Sequence, residues 1–337
     1  MPKIREIEIY NWPRTLLVLA VFFWSGNFIV GRAVYPSVPP IALAFWRWTV
    51  AFLVLLPFVL PRLRQDWPAI RGSWPVLLLL SALGVASFNT LLYAGLQWTI
   101  AINAFLIQST MPVVIVGLSA LVFRERITIV QSIGIPVALS GAAIIGAEGN
   151  IGVFRFVSVD AGDALIVIAV FCYAAYSVLL RLRPAIHPLS FVATTFLMAS
   201  LTLLPFYIWE TSSVRSADLS VSAVSAIIYV AVFPSIVSFI CFNRGVELIG
   251  ANQAGLFIYL MPVFGSVMAI AFLGESLHWF HGAGICCIAL GIWLSTRDRT
   301  SLAAEASAPF NSSGETVQSA TERARSLSSR STDTTSS

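Results

Sequence analysis

QSTMPVVIVGLSALVFRE, residues 108–125, and IYLMPVFGSVMAIAFLGE, residues 258–275, are two copies of one segment set 150 positions apart. Met111-Pro112-Val113 falls on Met261-Pro262-Val263, and Glu125 falls on Glu275. Outward from this pair the same shift lays Gly95, Ala101, Ala104, Gly134 and Gly141 on Gly245, Ala251, Ala254, Gly284 and Gly291. Toward the N-terminus a shift of 149 takes over: Ala20-Val21-Phe22, Arg32 and Pro39 meet Ala169-Val170-Phe171, Arg181 and Pro188. A single one-residue change of register over a whole half marks an internal duplication.

Both halves are too apolar for a soluble fold. Of the 337 residues 58% are hydrophobic and 11% charged, against roughly 25% charged in an ordinary soluble domain. A membrane-spanning helix needs roughly 17 to 25 mostly apolar residues. Windows of that kind fall at 15–34, 40–60, 75–97, 101–123 and 128–147, then at 161–181, 188–209, 221–243, 251–273 and 279–296. Five spans per half is an odd number, so the second half must cross in the opposite sense to the first. The predicted fold is all-α and integral to the membrane, with ten transmembrane helices as two inverted five-helix repeats around a central cavity. The repeats cover 15–147 and 161–296, with a cytoplasmic segment 1–14, a linker loop 148–160 and a tail 297–337. That Ser/Thr-rich tail cannot bury enough apolar surface to fold and is expected to be disordered and cytoplasmic.

Charge sets the orientation. With the N-terminus inside, the inner segments collect Lys3, Arg5, Arg14, Arg62, Arg64, Arg71, Arg124, Arg126, Arg181, Arg183, Arg244, Arg297 and Arg299, and the outer ones Arg32, Arg155 and Arg215. Thirteen against three is a positive-inside bias that places both termini in the cytoplasm. The same placement makes the net charge of +4 a topology signal and leaves no nucleic-acid patch. Trp12, Trp67, Trp74, Trp98, Trp209 and Trp279 fall near span ends, where an indole sits among headgroups. The first window follows Lys3, Arg5 and Arg14 as a signal peptide would. It runs to Val30-Gly31-Arg32 without a small-x-small cleavage site, and is expected to stay as a helix. Cys172, Cys241, Cys286 and Cys287 show neither zinc nor disulfide spacing. Glu275, His278 and His281 are spread by a helix over too wide an arc to converge on a metal, so neither metal nor cofactor is expected.

An inverted repeat suits a transporter. Two similar packings of one fold supply inward-open and outward-open states of near-equal energy, with the substrate site near the midplane between the halves. The first span carries Phe23-Trp24-Ser25-Gly26-Asn27-Phe28, the second Arg47, and the fourth Pro112 with a terminal Glu125, copied as Pro262 and Glu275. With these motifs in this order, the run from about 15 to 296 resembles the drug/metabolite transporter superfamily, EamA type. The resemblance implies a five-plus-five helix fold with a central cavity, and export of amino acids, related metabolites or drugs. The expected partners are a small-molecule substrate and the lipid bilayer. The expected location is the plasma membrane, the inner membrane of a bacterium, with the chain a monomer or homodimer.

Polar side chains inside hydrocarbon are costly and face a cavity or a neighbouring helix. Trp24, Asn27, Asn89, Tyr93, Gln108, Tyr173, Tyr176 and Tyr259 would together line an amphipathic, aromatic pocket, although each alone would serve equally as a bond between helices. Arg47, in Phe45-Trp46-Arg47-Trp48, lies two turns below the outer end of the second span, and an arginine at mid-bilayer costs roughly 2.5 to 3.5 kcal/mol on insertion scales. It either snorkels outward between its tryptophans or meets a substrate carboxylate or an outer gate. Its repeat counterparts, near Thr195 and Phe196, are not basic, a departure that points to function.

Four further positions are candidates for coupling or gating. Arg32, with its copy Arg181, ends the first helix of its half, where a cation complements the helix dipole. Glu125 and Glu275, three residues before Thr128 and His278, would cap the next helix or act at a gate. Asp163, near the outer entrance of the sixth span, is either a protonatable group or an N-terminal helix residue. Pro112 and Pro262 kink their helices and free the carbonyls of Gln108 and Ile258 toward the cavity.

These features favour a secondary transporter exporting small amphipathic metabolites, amino acids or related compounds, by alternating access. A multidrug exporter of lipophilic cations is the alternative, but it would want a carboxylate near the midplane of an early helix, and the first five spans have none. A membrane-embedded enzyme needs a nucleophile with a base, or a metal cluster, at shared depth. His187, His278 and His281 all fall near span ends, so no enzyme is expected.

Overall fold

In a medium without water each backbone N–H and C=O must be satisfied within its own segment, which selects helix. The computed structural model describes residues 11–34, 36–98, 107–125, 127–147, 149–150, 152, 161–218, 220–273 and 278–307, and no strand occurs among them. In chain order the helices are α1 (Pro13–Val34), α2 (Pro40–Gly72), α3 (Trp74–Gly95), α4 (Ile107–Phe123) and α5 (Ile129–Gly146). The second half follows with α6 (Ala161–Leu179), α7 (Pro188–Ser213), α8 (Val221–Ile249), α9 and α10 (Trp279–Ser307). Helix α9 is interrupted: Ala251–Leu256 is α-helical, Phe257–Leu260 a 3-10 turn, and Met261–Leu273 α-helical again. Six stretches among the described residues are long and apolar enough to cross a membrane: Pro40–Gly72, Trp74–Gly95, Ala161–Leu182, Pro188–Ser213, Val221–Ile249 and Ala251–Met268.

Helix starts follow local chemistry. Pro40 and Pro188 open α2 and α7, where a missing N–H costs nothing. Thr128 and Gln131 form a reciprocal capping box at the start of α5. Gly250, at φ 81°, turns the chain between α8 and α9 in a conformation that favours glycine. Two helices outrun their predicted windows. Helix α2 passes residue 60 with Pro57, Pro61 and Pro68 inside it, and carries Arg62, Arg64 and Arg71 on helix rather than loop. Its extension is held against the start of α7, where Arg62 meets the His187 ring and Asp66 accepts the His187 N–H at 3.1 Å. Helix α10 continues past 296 through Leu302-Ala303-Ala304-Glu305-Ala306, residues of high helix propensity. The expectation of disorder from 297 therefore gives way to helix as far as Ser307, and residues 308–337 lie outside the described residues.

The chain forms two compact units, Met1–Thr296 and Arg297–Ser337. Within the first, exchanging the two halves maps the packing onto itself. Helix α1 packs on α8, as α6 packs on α3; α1 packs on α9, as α6 packs on α4; α2 packs on its own counterpart α7, and α4 on α9. Gly95 of α3 lies so close to α6 that a Cβ would stand 2.6 Å from Ile166 and 2.8 Å from the Gly162 carbonyl. Gly245 of α8 lies the same way on Leu17 of α1, and Leu17 is the 149-shift counterpart of Ile166.

Helices α5 and α10 cross through glycine, in antiparallel register. A Cβ on Gly134 would come 2.7 Å from the Gly291 carbonyl, and one on Gly141 2.6 Å from the Gly284 carbonyl. Each glycine thus meets the copy of the other. Between membrane helices such small residues admit the close approach from which dispersion forces draw stability. Helices α2 and α7 exchange caps in the same reciprocal manner. Glu210 of α7 accepts the Ile41 and Ala42 N–H groups at 3.1 and 2.7 Å, while Asp66 of α2 serves His187. Finally, α3 and α8 each contain a π-helical turn, Ser81–Ser87 and Ala231–Val237, 150 positions apart.

Candidate substrate cavity

Helix α2 points Arg47 inward, and the side chain is 1% exposed. An unpaired charge at that depth costs several kcal/mol, so its partners decide whether it is tolerated. The guanidinium Nε donates to Ser235 Oγ at 2.6 Å. Nη1 donates to Asn89 Oδ1 at 2.8 Å, Tyr93 Oη at 2.9 Å and Asn27 Oδ1 at 3.1 Å. The Tyr93 hydroxyl in turn donates to Asn27 Oδ1 at 2.8 Å, and Ser235, inside the α8 π turn, donates to the Val230 carbonyl. The guanidinium carbon lies 4.5 Å from the centroid of the Trp48 ring, a cation–π contact. Hydrogen bonds to a charged group contribute roughly 1.5 to 3 kcal/mol each, enough in sum to hold the cation in place. Arg47 therefore does not snorkel outward. Every one of these partners is uncharged, and Nη2 has no hydrogen-bond partner among the described residues.

Arg47 stands in the wall of an open cleft. Twelve described residues line it: Trp24, Asn27, Arg47, Phe88, Asn89, Leu92, Gln108, Met111, Tyr173, Phe239, Ile258 and Met261. Eight of the twelve are repeat counterparts of one another: Trp24 with Tyr173, Asn89 with Phe239, Gln108 with Ile258, and Met111 with Met261. The cavity thus sits where the halves meet, yet its walls differ. The first half contributes the charge and the amides, Arg47, Asn27, Asn89 and Gln108, together with Trp24, Phe88, Leu92 and Met111, and the second contributes Tyr173, Phe239, Ile258 and Met261. Arg47 is the charged residue among the twelve, and none of them is acidic.

The two prolines shape this space. In α4 a turn at Thr110, its N–H on the Ile107 carbonyl at 3.0 Å, precedes Met111–Phe123, so Pro112 opens a new helical segment. In α9 the 3-10 turn Phe257–Leu260 does the same for Pro262. Having no N–H, neither proline can close an α-helical bond onto the carbonyl four residues back, Gln108 or Ile258. Both of those residues line the cavity.

Of the nine side chains singled out for the pocket, Trp24, Asn27, Arg47, Asn89, Gln108 and Tyr173 line it. The Trp24 indole N–H donates to the Pro234 carbonyl at 3.0 Å, and its ring meets Tyr173 edge-on. Tyr93 stands behind Arg47 as its ligand. Tyr176 lies elsewhere, donating to Asn243 Oδ1 at 2.7 Å with its ring over Gly84. Tyr259 packs among Val116, Ile135 and Ile288. Glu125 pairs with Arg181 and accepts from Asn252 Nδ2 at 2.7 Å, while Thr128 supplies the α5 cap that the sequence suggested for it. Asp163 is buried in the first turn of α6. The Arg32 side chain and Glu275 lie outside the described residues. Sequence reasoning missed Ser235, Phe88, Leu92 and Phe239 and named Ile258 only through its carbonyl; the 150-residue shift from Asn89 and Met111 would have found Phe239 and Met261.

A duplicated bundle of apolar helices with a cavity between its halves defines an integral membrane protein built as a solute carrier. Residues 11–147 and 160–297 each match the EamA-like transporter family. The chain belongs to that family, whose members are transporters and not enzymes. It is 29% identical over 262 residues to a protein of Streptantibioticus cattleyicolor named "Probable terminal-alkyne amino-acid exporter", covering 77% of this chain and 84% of that one. Two proteins of Bacillus subtilis, the uncharacterized transporters YetK and YyaM, are 28% and 25% identical. They cover 83% and 86% of this chain, and 85% and 93% of their own. A solved crystal structure superimposes with a TM-score of 0.70 at 17% identity, covering 88% of this chain and 99% of that one, which establishes likeness of fold.

Proposed function

We propose that the chain is a secondary transporter that exports small amphipathic metabolites, amino acids or closely related compounds, by alternating access. The observation that carries this reading is the cavity between the halves, in which Arg47 and the amides Asn27, Asn89 and Gln108 share the lining with apolar and aromatic side chains from both halves. Such a space suits a solute with a charged end and an oily side chain. The relative named as an amino-acid exporter supports the same class. Lipophilic cations are disfavoured by Arg47 and by the lack of any acid in the described lining.

The proposed architecture is ten spans in two inverted repeats. Six long apolar helices, the shorter Ile107–Phe123, Ile129–Ile145 and Trp279–Ser295, and Pro13–Val34 supply the count. The reciprocal glycine crossing and exchanged caps support the inversion. With both termini cytoplasmic, as the basic residues indicate, the Glu125–Arg181 pair, the Asn252 bond and the Arg183–Glu247 pair at 2.7 Å tie the inner ends of α4, α6, α8 and α9. We assign these contacts to an inner gate, and the repeat copies Arg32 and Glu275 to an outer one. Asp163 is the candidate for proton coupling.

Counterflow of labelled solutes into proteoliposomes tests the proposal. Saturable exchange of amino acids or their derivatives is expected, and its absence across that class would sink the substrate assignment. Flux indifferent to an imposed pH gradient would remove the coupling role of Asp163.

A further inference from the structure

We infer that the ligand of this cavity carries its charge as a single carboxylate received by Arg47, and that an ammonium group on the ligand is dispensable. The preferred chemical class is then the amphipathic monocarboxylate, a deaminated or N-acylated amino acid. This inference rests on the cavity being the transport site.

The argument is one of charge and of unfilled bonds. Nε and Nη1 of Arg47 are engaged by Ser235, Asn89, Tyr93 and Asn27. Nη2, in a side chain 1% exposed, keeps its two N–H donors without a partner among the described residues. A carboxylate oxygen placed on Nη2 satisfies those donors with the strength of a charge-assisted bond. It also neutralises a cation that its present partners solvate without neutralising.

Nothing comparable awaits a second, positive charge. The twelve described lining residues contain no acid. An ammonium brought here would lose its hydration shell in exchange for dipoles and ring faces, beside a fixed like charge. The polar groups that remain suit a neutral oxygen or nitrogen. The Tyr173 hydroxyl is buried with no hydrogen-bond partner among the described residues, and the Gln108 amide is part of the lining. A 2-oxo, 2-hydroxy or acylamide oxygen can accept from the Tyr173 hydroxyl where an ammonium cannot. Phe88, Leu92, Met111, Phe239 and Met261 then surround an aliphatic or aromatic side chain.

Four compounds sharing one isobutyl side chain decide the matter: leucine, 4-methyl-2-oxopentanoate, N-acetylleucine and isopentylamine. The full chain in proteoliposomes is loaded with labelled 4-methyl-2-oxopentanoate, and each compound is titrated as a competitor of counterflow. The two ammonium-free acids are expected to reach half-inhibition at about threefold lower concentration than leucine or below. Isopentylamine is expected to be inert at a hundredfold excess. Arg47→Lys keeps the charge and loses the planar fork, and should raise half-saturation for both acids tenfold or more in protein that remains monodisperse. Leucine competing at a lower concentration than either acid overturns the inference and leaves the transport reading intact, as does saturable flux of other solutes with none of these four. Competition by isopentylamine comparable to that of the acids overturns the role of Arg47. No saturable flux of any solute overturns both the inference and the reading beneath it.

Discussion

The first half gives the cavity its charge and its amides, Arg47, Asn27, Asn89 and Gln108, beside Trp24, Phe88, Leu92 and Met111, while the second gives it Tyr173, Phe239, Ile258 and Met261 and no amide or charge among the described residues. Outside the cavity the halves keep their symmetry: helix pairings are exchanged, glycines face each other's copies, and α2 and α7 cap one another. On the transport reading proposed above, the alike scaffold would supply two states of similar energy, and the unlike lining would hold a ligand one way round.

The sharpest way to break this comparison is to empty the polar wall. Arg47→Gln removes the donor shared by Asn27, Asn89, Tyr93 and Ser235. A buried hydrogen-bonding group left without its partner costs about 1 to 3 kcal/mol, and four such groups lose theirs here. Counterflow per folded transporter should fall by about 30-fold or more, and unchanged flux would make the polar wall irrelevant to transport.

Next in size is the crossing of α5 and α10. Gly134→Val and Gly284→Val each push a side chain into opposing backbone, and overpacking of this kind costs about 1 to 3 kcal/mol. Thermal unfolding in detergent should show similar losses for both. A large loss from one and none from the other would contradict the reciprocal packing.

A change of about tenfold, or ~1.4 kcal/mol, is expected when the walls are made alike. Phe239→Asn gives the second wall the residue that the first carries at Asn89. Half-saturation measured by counterflow should rise for solutes with large apolar side chains and hold steady for small ones.

The smallest effect concerns the exchanged caps. Glu210→Ala frees the Ile41 and Ala42 N–H groups, a loss of about 1 kcal/mol. It should appear as a modest fall in unfolding temperature, with substrate half-saturation unchanged.

The duplication and the membrane class were legible because both are written in residue type and spacing. So was Arg47, because a cation in an apolar run stands out against its neighbours. Phe88, Leu92 and Phe239 were not, because an apolar residue that lines a cavity looks like one that faces lipid. Tyr176 and Tyr259 show the converse: polar aromatics at the right depth, turned by packing toward Asn243 or a side cluster. Glu125 was read as a cap from its distance to Thr128, whereas Thr128 and Gln131 already form one, which leaves the carboxylate for Arg181 and Asn252. The apolar window 40–60 ended α2 too early, because contact of its extension with the start of α7 keeps it helical through Pro57, Pro61 and Pro68.

The π-helical turns Ser81–Ser87 and Ala231–Val237 also bear on Arg47. A π turn closes i→i+5 hydrogen bonds in place of the α-helix's i→i+4, so each half carries a widened turn at the same offset in its third helix. In the second half that turn brings Ser235 to Arg47, so a feature common to both halves serves a contact that belongs to one residue of the first.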